Sequence, residues 1–269
     1  MKPTMSQPLV EYHSENHIAT ITMNDPKTLN AFSTPLKNAI MEALDQADQD
    51  ADVRVIVLQG SNNNFSSGGH IGEMLENGME SEALVAKLDF MLREVAEVSL
   101  KLRNIHKPII AKLEGAVAGA GMNLALTCDF RIAADNAKFV QAFVNIGLIP
   151  DAGGIYLLKQ LIGAAKTTEL VMLGDKLTSD DVARLNLVNS VVSKDELDAS
   201  VLALATRLSN LPGKALASMK HMINVHAFAG LNEALDMEVD QQTMMAKTAD
   251  FAEGITAFME KRKPVYQGK

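Results

Sequence analysis

The chain has 269 residues, 47% apolar and 22% charged, with 25 basic against 33 acidic side chains for a net charge of −8. A chain this apolar can bury a substantial core, which excludes disorder as its main state, and the acidic balance argues against binding a nucleic-acid backbone, which needs clustered Lys and Arg. The single cysteine, Cys128, allows no internal disulfide and suits a reducing, cytoplasmic setting. No apolar run approaches the ~20 residues of a membrane span, and the opening MKPTMSQPLVEYHSEN lacks the apolar stretch of a secretory signal.

Leu9 to Met23 reads as a hairpin: LVEYH, a polar turn at Ser14, Glu15 and Asn16, then HIATITM with alternating apolar residues. NDPKTLNAF follows as a loop. Ser33 or Thr34 caps a helix with Pro35 in its first turn. Its apolar stripe is Leu36, Ala39, Ile40, Ala43, Leu44 and Ala47. VRVIVLQG (53–60) is a short apolar run ending in glycine, the pattern of a buried strand. Asn62 to Gly72 is loop-like, residues 80–105 carry a long amphipathic helix, and Pro108 ends it.

PIIAKLEG (108–115) is a second buried strand, AGAGMNLALTCD turns into a helix, and FRIAAD (130–135) is a third strand. This alternation predicts crossover connections and an at least partly parallel sheet. From about Ile155 the pattern is nearly all helical, punctuated at Gly163, Gly174, Pro212-Gly213 and Gly230. The expected organisation is an α/β core over residues 1–190 and a helical region over 191–269.

Three segments could carry chemistry. Phe65-Ser66-Ser67-Gly68-Gly69-His70 follows a buried strand, and its two glycines suit either a surface turn or close approach of a ligand. GAVAGAGMN (115–123) is a glycine-rich turn into a helix. It either exposes backbone N–H groups at the positive end of the helix dipole or packs helix closely on strand. It is not a dinucleotide fingerprint, which needs a third glycine and a later acid. Ile149-Pro150-Asp151-Ala152-Gly153-Gly154 puts an acid in a Pro/Gly turn, ordinarily a solvated turn former. Its flanks, FVNIGLI and IYLLKQLIG, are apolar, and a dry carboxyl there would gain a raised pKa. The six histidines show no metal-binding spacing, and no G-x-S-x-G elbow occurs. Cys128, among apolar neighbours, reads as an inert core thiol. The methionines of the C-terminal helices, Met219, Met222, Met237, Met244 and Met245, read as pliable core or subunit contact.

In this order and spacing the three segments resemble the crotonase (enoyl-CoA hydratase/isomerase) superfamily. The resemblance covers most of the chain: the opening hairpin and PKTLNAF, NFSSGGHIGEM, KPIIAKLEGAVAGAGMNLALTCDFRIAADNAKF, GLIPDAGG, GDKLTSDDVARLNLVN and the terminal FMEKRKPVY. It implies an α/β spiral of ββα turns with a C-terminal helical region, assembled as homotrimers or hexamers, acting on an acyl-CoA thioester. Coenzyme A would be part of the substrate, and no separate cofactor or metal is implied. The backbone N–H groups of Gly69 and Ala120 would hold the thioester oxygen, where enolate charge develops. CoA would lie along Lys27, Leu29 and Ala31 and along the segment Ser67 to Ile71, which includes His70. Phe258 and Lys261 of the terminal helix would reach a neighbouring subunit's nucleotide, where a cation suits phosphate.

The departures from the family pattern sharpen the expectation. The superfamily's hydratases use two glutamates, and the matching positions here are Asn123 and Phe143. An amide cannot take a proton from water and a phenyl ring cannot donate one, which disfavours two-glutamate hydration. His70 stands where a frequent Asp occurs, and Asn186 where Gly is common, a change a left-handed helix cap tolerates. Asp151 is the remaining acid. GAGMNLAL with GLIPDAGG resembles the branch that holds the ring-expanding epoxide isomerase of phenylacetyl-CoA degradation and related enoyl-CoA isomerases, in which the Asp of the P-D-x-G-G turn shuttles a proton. The expected activity is double-bond isomerisation of a CoA thioester through Asp151, with Phe143 beside the substrate, Asn123 either orienting the substrate or packing, as its helical position equally allows, and residues 73–105 forming part of the acyl-pocket wall. The alternatives are an enoyl-CoA hydratase of fatty-acid or aromatic-acid degradation and a non-catalytic acyl-CoA-binding protein.

Overall fold

The computed structural model of the chain describes residues 7–76, 78 and 81–269. The predicted first residue of the long helix, at position 80, lies outside them. Strands β1 (Val10–Glu15) and β2 (Ile18–Met23) form the hairpin, closed by Asn16 and His17 at φ 53° and 67°. Two consecutive left-handed residues follow the twist of the strands, and Asn tolerates that region. The turn therefore falls later than the expected Ser14–Asn16. Helix α1 (Thr34–Gln49) is capped by Ser33, whose Oγ accepts from the Leu36 N–H. It buries Leu36, Ile40, Ala43, Leu44 and Ala47, together with Lys37.

The chain continues through β3 (Val55–Gly60), the single-turn α2 (Ile71–Met74), α3 (Ser81–Asn104), β4 (Ile109–Leu113), β5 (Ala116–Ala118) and α4 (Ala120–Thr127). Next come β6 (Phe130–Ala134), β7 (Lys138–Val140), a 3-10 turn (Ala142–Ile146), α5 (Gly154–Leu173), β8 (Lys176–Leu177), α6 (Ser179–Arg184) and β9 (Ser190–Val192). Helices α7 (Leu197–Ser209), α8 (Gly213–Ala227), α9 (Leu231–Met245) and α10 (Ala249–Met259) complete it. Short β8 and β9 interrupt the stretch read from sequence as helical. Two- and three-residue strands carry too little alternation to register as a pattern.

One sheet has the order β1-β2-β3-β4-β6-β9, parallel from β2 onward, and the other has the order β5-β7-β8. The α/β class and the parallel crossovers agree with the sequence. Val55 and Val57 of β3 and Ile110 of β4 face Leu197, Val201 and Ala205 of α7. Ile56, Leu58, Ile109 and Ala111 face the opposite core with α1, α3 and α4. Helices on both faces explain why these strands read as continuous apolar runs. A second core, of Leu88, Met91, Leu92, Phe143, Val239, Phe251 and Ile255, joins α3, the 3-10 turn, α9 and α10.

Asn30 ties the loop before α1 to the loop after β3. It is fully buried at φ 58°, its Nδ2 donating to Asn64 O (2.9 Å) and Phe65 O (3.3 Å), its Oδ1 accepting from Asp25 N (2.9 Å). Asn30→Ala leaves several buried backbone groups unpaired, and a loss of about 3 kcal/mol is expected from urea unfolding.

Candidate active site

A cavity of about 350 Å³ opens between α3, the 3-10 turn and the C-terminal segment. Met74, Leu88, Met91, Leu92, Val95, Phe143 and Leu148 make its walls apolar. Its polar lining comes from Ser67, Gly69, Ala120, Lys37, Asp151 and Gln242, with Arg262 at its edge beside Phe258 and Pro264.

The segment after β3 threads between two others. Phe32 N donates to Gly68 O (2.8 Å), Ser66 N to Ala116 O (2.9 Å) and Ala118 N to Ser66 O (3.0 Å). Gly68 sits at φ 100°, and a Cβ there would lie 2.9 Å from Ala118 O, so glycine permits both the turn and the close approach. Gly69 and Ala120 thereby line one cavity. Among the described residues neither N–H has a protein acceptor. Ala120 opens α4, where a helix leaves its first N–H groups unpaired at the positive end of its dipole. Two free donors facing an apolar cavity suit an oxygen that gains negative charge.

Asp151 sits on the turn before α5, with Ala152 and Gly153 both left-handed (φ 54° and 83°). Its backbone carbonyl accepts from Asn123 Nδ2 (2.8 Å), and Asn123 Oδ1 in turn accepts from Gln141 Nε2 (2.7 Å). The carboxyl is buried. Oδ2 accepts from Gln242 Nε2 (3.3 Å), and Oδ1 has no partner among the described residues. Burial pushes its pKa up to about 7, against the opposing pull of the Gln242 amide and the Lys37 charge. Lys37, 2% exposed, is ion-paired to Glu94 (2.8 Å) and donates to Met91 O (3.0 Å); burial pulls its pKa down. Behind the turn, Glu238 of α9 accepts from Gly153 N (2.8 Å).

Ser67, Gly69, Ile71, Ala120, Phe143, Asp151 and Phe258 line the cavity together. Asn123 does not. It is fully buried behind the wall with its amide spent on Asp151 O and Gln141, so the expectation that it binds substrate is corrected to holding the Asp151 turn. His70 also stays off the cavity: its Nδ1 accepts from Glu73 N (2.8 Å) and caps α2. Lys27 and Leu29 are exposed and Ala31 is buried, all on the loop beside Ser67, whose N–H donates to Leu29 O (2.9 Å).

Within this chain α10 packs on the 3-10 turn, so Phe258, expected to reach a neighbouring subunit, covers the chain's own cavity. The cation at that edge is Arg262, not Lys261, and it is held by Glu253 and Glu260 (2.6 Å to the latter). Tyr266 Oη donates to Asn145 O (2.8 Å) and fastens the tail beyond it. Cys128 is buried with its thiol pushed up to about 12, as an inert core residue. Lys37, Gln242 and Glu238 were not anticipated. Only Lys37 left a signal, as a cation inside the buried face of α1.

The chain matches the family model described as Enoyl-CoA hydratase/isomerase over residues 13–269. It is 36% identical over 262 residues to the trans-2-decenoyl-[acyl-carrier-protein] isomerase of Streptococcus mutans, covering 96% of this chain and 97% of that protein. It is 33% identical over 258 residues to the 1,2-epoxyphenylacetyl-CoA isomerase of Escherichia coli, at 96% and 97% coverage. Among solved structures it is similar to an enoyl-CoA hydratase from Mycobacterium avium subsp. paratuberculosis, with a TM-score of 0.86 at 29% identity over 96% of this chain and 98% of that one.

The buried carboxyl has a stability consequence. The unfolded chain releases the Asp151 proton near 3.8 while the fold retains it to about 7. Folding is therefore penalised increasingly as pH rises through that window, by up to about 4 kcal/mol above it. Asp151→Asn is expected to melt above wild type near pH 8, with the gap closing near pH 4, as thermal unfolding at the two pH values will show.

Proposed function

The chain belongs to the enoyl-CoA hydratase/isomerase family, and within it we propose that it is an acyl-thioester double-bond isomerase with Asp151 as its single proton carrier. The carrying observation is that, of the described residues lining the cavity, Asp151 alone is a carboxylate, while the residues at the two hydratase positions are an amide turned away and a phenyl ring.

A 3-enoyl thioester would place its carbonyl oxygen on the Gly69 and Ala120 N–H groups. The Asp151 carboxylate takes a proton from C2, electrons move onto the thioester oxygen as a dienolate, and the two donors offset that charge. The neutral Asp151 acid then gives the proton to C4, the double bond settles between C2 and C3, and the carboxylate is regenerated. One base suffices, and nothing is gained or lost overall. Two features favour this chemistry: a carboxyl whose pKa lies near neutrality, and apolar walls that keep water from the dienolate. The names of the S. mutans and E. coli relatives point the same way. Coenzyme A would enter as part of the substrate. The exposed Met219, Met222 and Ile223 of α8 offer an apolar face that a homotrimeric or hexameric contact would cover.

The test is absorbance of the conjugated thioester. With a 3-enoyl-CoA, wild type should raise it, kcat/KM should climb as pH passes about 7 and Asp151 ionises, and Asp151→Asn should be slower by about 10³-fold. Falling absorbance from a 2-enoyl-CoA, unchanged in the variant, would mark a hydratase that does not use Asp151.

A further inference from the structure

Five buried side-chain oxygens among the described residues lack a hydrogen-bond partner: Tyr12 Oη, Gln141 Oε1, Asp151 Oδ1, Glu238 Oε1 and Gln242 Oε1. The last four belong to side chains that hold or form the Asp151 turn. All four are acceptors, and buried acceptors without donors are costly. The neighbourhood is short of protons.

Glu238 and Gln242 stand four residues apart on α9, one turn apart on the same face. Gln242 donates to the Asp151 carboxyl, and Glu238 Oε2 takes the Gly153 N–H two residues further along the turn. We propose that Glu238 is a positioning residue that works as a neutral carboxylic acid: its carbonyl oxygen clamps the Asp151 turn through Gly153, and its second oxygen, buried with no donor facing it among the described residues, carries the proton. Burial raises both carboxyls, to about 8 at Glu238 and about 7 at Asp151, and their titrations are coupled. What separates the two is what faces them: Asp151 receives the Gln242 amide and the field of a cation, whereas the charge that acts on Glu238 is an anion. Lys37 of α1 acts on Asp151 and is itself neutralised by Glu94 of α3, while Glu238 feels Asp151. An ionised Glu238 would instead put two anions against one already paired cation.

The kinetic arm rests on the isomerase reading; the spectroscopic arm does not. Near pH 6, infrared spectra of Asp151→Asn should retain a buried protonated-carboxyl band, and Asp151→Asn/Glu238→Gln should lose it. Turnover of a 3-enoyl-CoA should fall about tenfold in kcat in Glu238→Leu with KM within about threefold, the signature of a misplaced group. Glu238→Gln, which keeps an oxygen for Gly153 and carries its own N–H donors, should recover at least about a third of wild-type kcat. The proposal is overturned if Asp151→Asn shows no such band, if the band survives in Asp151→Asn/Glu238→Gln, or if the Gln variant is as slow as Leu, which would mean that the negative charge matters. If no enoyl thioester turns over, the functional reading fails and the infrared band alone decides the state of Glu238.

Discussion

The burial of one carboxyl, that of Asp151, is the constraint around which the site is arranged. A carboxylate taken out of water is costly unless paired, and here one oxygen has a single long amide contact and the other has none among the described residues. The fold tolerates this because the turn is fixed from several directions: Asn123 holds its carbonyl, Glu238 holds the Gly153 N–H, and Gly153 and Ala152 take left-handed backbone. The position is over-determined, so relaxation that would let the carboxyl find water or a cation is blocked. Lys37, the cation that acts on Asp151, is itself committed to Glu94 and Met91 O.

The two free N–H groups need a different kind of support. They come from segments far apart in sequence, one following β3 and one opening α4, and backbone pairing brings them together. Phe32 and Val117 flank the segment Ser66 to Gly69 as parallel neighbours, and Asn30 anchors the same region from the loop before α1. The donors are therefore set by backbone geometry that side-chain changes in the cavity leave alone, whereas the Asp151 turn depends on side chains from other elements, Asn123 on α4 and Glu238 on α9. On the isomerase reading, this division lets the frame persist while the position of the carboxylate changes.

Much of this was legible in the sequence. β3, β4 and β6 stood out as continuous apolar runs because helices cover both faces of the sheet, and the glycines at 68 and 119 marked turns that take left-handed backbone, φ 100° and 50°. Asp151 drew notice because a polar turn lay between apolar flanks, and its carboxyl is buried. What was not legible depends on distant partners. Glu238 and Gln242 lie about ninety residues beyond the turn they serve, on a helix whose pattern is that of any amphipathic helix. For Asn123 the sequence left substrate orientation and packing equally open: its position on α4 follows from local sequence, while its amide points where Gln141 and the Asp151 carbonyl draw it.

On the isomerase reading, Asn123 and Phe143 would also let a family frame change its chemistry without changing shape. Asn123 presents its amide to a backbone carbonyl that a carboxylate could only repel, since a carboxylate accepts hydrogen bonds and a carbonyl donates none. The same residue that removes a potential acid–base group thus becomes a fastener for the one that remains. Phe143 stacks its ring edge near Gly119, where a Cβ would come within 3.5 Å of it, and adds apolar surface beside the donors. An apolar ring there excludes water from the place where hydration would need it held. The two departures from the hydratase pattern therefore act in one direction: one stabilises the Asp151 turn, the other dries the cavity it faces. On the isomerase reading, both suit a single carboxyl that holds one proton and returns it.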